Sequence, residues 1–183
     1  IPVANIYEDV SALWPPGKVG YTPTLVVAYG GLFGENYWYQ KTNVWENPRL
    51  SKFVPAFILD PRSRRRTMAP DDEFNHQSMA RVAASLGKDG VLVNTGAHGQ
   101  REGLGLHWDI CMLVEGGLTA HEALRCATAN PAKTLGMDRD IGTLQPGKLA
   151  DLIVVEGNPL QDIRQSEKVA WTIGRVAIWS NDL

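Results

Sequence analysis

Two stretches of this chain are apolar at nearly every position rather than at every second one. Residues 21–29 read Tyr-Thr-Pro-Thr-Leu-Val-Val-Ala-Tyr and residues 90–94 read Gly-Val-Leu-Val-Asn. Continuous hydrophobicity of this length suits strands buried on both faces, as in a parallel sheet. Between them, Met79, Val82, Ala83 and Leu86 recur at helical spacing. They predict a helix capped by Asp71 or Asp72 and ended by Gly87. Strand, excursion, helix, strand is the order of an α/β crossover.

Residues 30–70 show no period and are expected to form a long loop rich in aromatics and proline. After the second strand come four glycines in eleven residues, 95–105, a loop whose backbone can approach a ligand closely. A helix is predicted over 106–115, stopped by Gly116 and Gly117. Thr119 and Glu122 form a capping-box pattern opening a helix to Thr128. A short helix with Pro131 at its first position ends at Gly136. The character changes near residue 140. Residues 152–155, 169–173 and 176–179 read as strands, the last two joined by a two-residue turn at Gly174 and Arg175.

Composition narrows the class. The 183 residues carry 18 Lys plus Arg against 20 Asp plus Glu, a formal charge of −2, with 44% hydrophobic residues. That is an ordinary globular balance, neither disordered nor strongly basic. No stretch is long and apolar enough for a membrane span. A complete (β/α)₈ barrel needs about 250 residues, more than are here. The chain begins at Ile1 with no basic or apolar leader, which suggests a processed chain or a piece of a larger one. Two cysteines, Cys111 and Cys126, exclude a Cys₄ zinc site and read as buried thiols.

The candidate chemistry gathers in the glycine loop. His98 follows the second apolar stretch, at the strand end where α/β proteins place their ligands. Arg101 lies three residues on, and His107 opens the next helix, where an anion is favoured. Asp109 reads equally as a surface carboxylate or as one supporting the site. His121, in the capping box, reads as a surface residue, and His76 has no acidic or cysteine partner at ligand spacing. The arginine run at 62–66 is a grip for anions or nucleic acid, or a solvated loop. No HxH, HExxH, CxxC, GxSxG or phosphate-binding loop is present.

Longer motifs say more. Gly117-Leu-Thr, Glu122-Ala-Leu, Ala127-Thr-Ala-Asn-Pro-Ala-Lys133 and Leu135-Gly136 are followed by Ile141-Gly, Pro146-Gly-Lys and Ala150-Asp-Leu. With residues 90–99 they resemble the C-terminal part of a metal-dependent amidohydrolase. Residues 21–31 resemble the penultimate barrel strand of its imidazolonepropionase-like subgroup, whose members often follow a TolB-type β-propeller in an exported chain.

The resemblance implies an α/β fold, the C-terminal fragment of a (β/α)₈ TIM-type barrel. Residues 21–29 and 90–94 would be strands seven and eight, within a partial barrel at 1–138, and 139–183 would supply strands of a small β-sandwich. It implies hydrolysis of a C–N bond in an amide, cyclic amide or peptide-like small molecule, by water activated on a divalent metal, zinc foremost. The family's metal ligands stand on strands one, four, five, six and eight. The eighth-strand Asp usually sits in Gly-Thr-Asp, where this chain has Asn94-Thr95-Gly96. No metal is therefore expected in this chain alone, and His98 becomes the candidate catalytic group, with Arg101 and His107 as substrate contacts. The expected partners are the missing N-terminal barrel half or a second copy, with no nucleic acid and no membrane. The alternative is a structural or interaction module with no activity of its own.

Overall fold

A computed structural model describes residues 6–28, 31–174 and 177–180. The two apolar stretches meet side by side in parallel, as expected. Tyr21 N donates to Leu92 O at 2.9 Å and Asn94 N donates to Tyr21 O at 2.8 Å, around a bridge between Tyr21 and Val93. The ladder goes no further. Leu25–Val27 winds into a 3₁₀ turn, so residues 21–28, buried except at Thr22 and Thr24, are not a strand; Tyr29 lies outside the described residues.

The expected loop at 30–70 is mostly helical. Short helices occupy it after α1 (Glu8–Leu13): α2 (Gly34–Lys41), α3 (Pro48–Phe53) and α4 (Ala56–Arg64). Asn47 caps α3, its side chain accepting from Arg49 N and Leu50 N, with Pro48 at the first position. Six to nine residues are too few to print a clear 3.6-residue period.

Helix α5 (His76–Lys88) carries the expected stripe inward, with Met79, Ala80, Ala83, Ala84 and Leu86 buried. Its N-cap is Asn75, not Asp71 or Asp72, which sit in a separate 3₁₀ turn. Gly87 stays inside the helix, and Gly90, at φ +92°, takes the left-handed position instead. Helix α6 (Leu104–Glu115) starts from Gly103 at φ +70° and crosses α5. The capping box of Thr119 and Glu122 is formed in full at the start of α7 (Ala120–Cys126). In α8 (Ala129–Thr134), Pro131 is the third residue rather than the first. Cys111 and Cys126 are free and buried, and burial pushes both thiols up to about 12.

Strands β1 (Leu152–Val155), β2 (Val169–Gly174) and β3 (Ala177–Ser180) form an antiparallel sheet in chain order. Gly174 pairs with Ala177, so Gly174 belongs to the strand and its φ is not left-handed. Gly174 is thus not a turn residue as expected, and the other residue of the expected turn, Arg175, lies outside the described residues, as does Val176. The core belongs to the helical body, where the indole of Trp108 stacks on Trp38 at 5.9 Å and meets Tyr39 edge-on.

Candidate functional site

The parallel bridge delivers two chain segments to one end of the body, and a single carboxylate ties them there. Asp109 is fully buried on α6. Its Oδ1 accepts from Leu25 N and its Oδ2 from Gly96 N, both at 3.0 Å, and Val26 N adds a third backbone bond. Burial raises its pKa to about 7, outweighing those three bonds, which pull it down. Asp109 is thus a supporting group, not a surface carboxylate. The sequence leaves that role as one of two readings because nothing local marks a helix residue that bonds 84 positions away.

The loop that Asp109 anchors carries the predicted site residues. His98 is exposed and holds φ +54°; Arg101 holds φ +39°. Left-handed backbone at a non-glycine residue costs on the order of 1 kcal/mol and persists where surroundings impose it. Arg101 turns inward and is buried. Its Nε donates to Tyr39 Oη at 2.9 Å and its guanidinium lies 5.4 Å from that ring's centre. His107 Nδ1 lies 3.1 Å from Ser166 Oγ, and burial lowers its pKa. The structure therefore brings His98 and Arg101 onto one loop and gives His107 a partner of its own.

A second acid went unremarked in the sequence. Glu35, on α2, is 5% exposed. Its Oε1 accepts from Arg62 Nη1 at 3.3 Å, and the same nitrogen donates to Gln100 Oε1 at 3.1 Å. Burial raises its pKa, partly offset by Arg62 and Arg101. The arginine run is thus tethered in part. Arg66 Nη1 donates to Tyr39 O at 2.6 Å, with its guanidinium 5.0 Å from the Trp45 ring centre.

His76, given no partner from the sequence, is completely buried, its Nε2 3.6 Å from Glu115 Oε2. His121 is exposed, as expected. Among the described residues no three His, Cys, Asp or Glu side chains converge as a metal-ligand set. The donors present do not fit a complete metal centre.

The amidohydrolase family profile matches residues 56–175. The chain belongs to the amidohydrolase family. Among solved structures, a Xaa-Pro dipeptidase with bound methionine in its active site superposes at a TM-score of 0.66 and 22% identity, over 98% of this chain and 39% of that one. Ochratoxinase from A. niger gives 0.61 and 21%, over 99% and 38%. These likenesses show the fold, an α/β portion of a TIM-barrel architecture with its antiparallel sheet.

Short segments also match 5-methylthioadenosine/S-adenosylhomocysteine deaminase of Moorella thermoacetica, 57% identical over 37 residues, 20% of this chain and 9% of that protein. Guanine deaminase of Escherichia coli is 46% identical over 55 residues, 29% of this chain and 12% of that protein. The chain spans about two-fifths of the solved structures it matches, and its matched segments span far less of those deaminases.

Proposed function

We propose that this chain is the C-terminal portion of an amidohydrolase that hydrolyses a C–N bond in a small amide, cyclic amide or peptide-like substrate. The observation that carries the reading is the family match over 56–175, which includes the anchored loop bearing His98. Deaminases and a dipeptidase among the similar proteins support C–N cleavage as the reaction type. Residues 21–28 and 90–94 are read as strands seven and eight of the barrel, in a unit at 1–138, and 139–183 as part of the small β-sandwich.

A cavity of about 200 Å³ beside Val91, Val93, Leu118 and Cys126 supports a missing neighbour on that flank. In this reading the neighbour is the rest of the barrel rather than a second copy. A divalent metal, zinc foremost, belongs to the full-length enzyme, with its donors outside this chain. The chain alone is then inactive. The subgroup remains the imidazolonepropionase-like one found beside TolB-type propellers, which favours export.

His98 is exposed on a loop held from below, so it can reach a substrate without losing a partner. Arg101 and His107 are read as substrate contacts. The test is the full-length enzyme assayed for amine or ammonia release. His98→Gln is expected to lower kcat/KM about 10²–10⁴-fold, the usual worth of a positioned acid or base. Unchanged kcat/KM would remove His98 from the chemistry.

A further inference from the structure

One stretch of the surface is apolar without interruption. Residues 53–58 read Phe-Val-Pro-Ala-Phe-Ile and carry the chain from α3 into α4. All but the half-buried Val54 are exposed, Phe57 at 78%, Phe53 at 68% and Ile58 at 47%. Single apolar residues on a surface are ordinary, whereas a contiguous run with no polar side chain calls for a covering partner. The run stands on a fixed base. Leu50 on α3 and Leu59 on α4 are buried in the core, with Val54 packed against it. Where α4 ends, Arg62 Nη1 donates to Glu35 Oε1 and Arg66 Nη1 to Tyr39 O.

Cations bracket the run. Between residues 49 and 66 stand six basic side chains, Arg49, Lys52, Arg62, Arg64, Arg65 and Arg66, against one acid, Asp60. The local charge is +5 in a chain of −2. Lys52 Nζ lies 5.6 Å from the Phe53 ring centre. Arg64 pairs with Asp60 at 3.2 Å and Arg62 with Glu35 at 3.3 Å, yet their side chains stay 59% and 63% exposed. Arg62 and Arg64 follow Phe57 by roughly 8 and 10 Å along the axis of α4. Amphipathic segments seat their apolar side chains about 5–10 Å into the boundary between headgroups and acyl chains. Rings at the tip and guanidiniums that far behind them match this layering.

We propose that the turn between α3 and α4 is a docking surface for an anionic lipid bilayer, entered tip first. Phe53, Phe57 and Ile58 sit below the headgroups, and Arg49, Lys52, Arg64 and Arg65 meet the lipid phosphates. Charge complementarity selects this occupant: an apolar tip with a cationic collar faces a layer that is anionic above and apolar beneath. A nucleic acid would interleave rings and cations along a groove. The expectation of no membrane partner rested on the lack of a span. Among the described residues no helix is long and apolar enough to cross a membrane, and peripheral docking needs none. The inference stands apart from C–N hydrolysis.

Vesicle sedimentation tests it. The 183-residue chain is mixed with vesicles of phosphatidylcholine alone, or with about one-third phosphatidylglycerol to supply the negative surface. Binding is expected to the second kind only, and to fall steeply as salt is raised. Phe57→Ser is expected to weaken it about tenfold or more, the worth of one buried ring. Arg65→Gln is expected to weaken it about fivefold, the worth of one cation at a charged surface. Both side chains are exposed, so far-UV circular dichroism of the variants should match the parent chain.

No binding to the anionic vesicles overturns the proposal, and so does equal binding to the neutral ones or binding that survives Phe57→Ser. Sedimentation without vesicles reads a rival occupant: self-association that Phe57→Ser abolishes would make the turn an interface between copies. A single-stranded RNA that binds as tightly, and also needs Phe57, would overturn the bilayer in favour of nucleic acid. A full-length enzyme that ignores vesicles bound by the 183-residue chain would show the turn covered by the rest of the enzyme, and would overturn the proposal too.

Discussion

Burial and strand pairing part company between the two ends of this molecule. Residues 21–28 and 90–94 are largely buried, yet one bridge is all the ladder they make together. The sheet of β1, β2 and β3 is paired along its length, yet none of its described residues is buried. Ile178 is 65% exposed, Trp179 52% and Ile153 50%. An apolar run reports removal from water. A ladder needs a partner backbone. At the parallel end the polar backbone found another acceptor, the Asp109 carboxylate, and the chain bent into a 3₁₀ turn to reach it. At the sheet end, short local connections supplied partners at once, and cover for the faces did not follow.

The largest expected effect therefore lies at Asp109. Removing it strands three backbone N–H groups, two of them on the fully buried Leu25 and Val26. Asp109→Ala is expected to cost on the order of 3–5 kcal/mol, read from urea unfolding. Asp109→Asn keeps one acceptor oxygen and should cost less.

The pH dependence separates the two states of this group. Its folded pKa, about 7, lies above the ordinary 3.8, so the folded protein holds its proton more tightly than the unfolded chain. The Asp109 contribution is thus fully present below pH 4 and lost as pH rises to about 7. The Cys126 thiol faces the same carboxylate but is pushed up to about 12, outside that window. Asp109→Asn should remove that decline. A variant with the wild-type slope between pH 4 and 7 would place the titration elsewhere.

What was legible in the sequence follows the same division. Motifs complete within a few residues came through: the Thr119 and Glu122 box and the strand at 152–155. The α5 stripe was legible because thirteen residues give three turns of period. The helices at 34–64 were not, being too short to show one. Gly174 was read as a turn residue and is paired in β2, since a glycine at a strand end carries the same local signal as one within a turn.

At the site, the glycine loop pointed to His98 and Arg101 by composition. Glu35 was hidden, and Asp109 stayed between a surface and a supporting reading, because their burial and their partners come from other elements. Long-range hydrogen bonds leave no periodic trace.

A middle-sized effect tests packing in the helical body. Gly116 closes α6 against α5, and a Cβ there would overlap the Ala80 backbone and lie 2.7 Å from its Cβ. Its φ of −73° is open to any residue, so the penalty is purely steric. Gly116→Ala is expected to cost about 2 kcal/mol, as overpacking of rigid cores does. A loss under about 0.5 kcal/mol would mean that α5 and α6 slide apart freely.

The smallest effect is the sharpest test of the contrast. Ile178 stands on β3 opposite Ile173, and across β2 from Leu152, on one face of the sheet. Removing an exposed apolar side chain forfeits little burial, so Ile178→Ser should change stability by less than about 0.5 kcal/mol in dilute solution. Thermal unfolding of the 183-residue chain at two widely spaced concentrations reads it. A loss above about 1.5 kcal/mol would be the size expected of a covered side chain. If that loss grows with concentration, the cover comes from another copy, because mass action then enters the midpoint. If it does not, cover comes from within the chain, and the exposed sheet would not be the state in solution. Either result would close the gap between the two ends, since the sheet would then be both paired and buried.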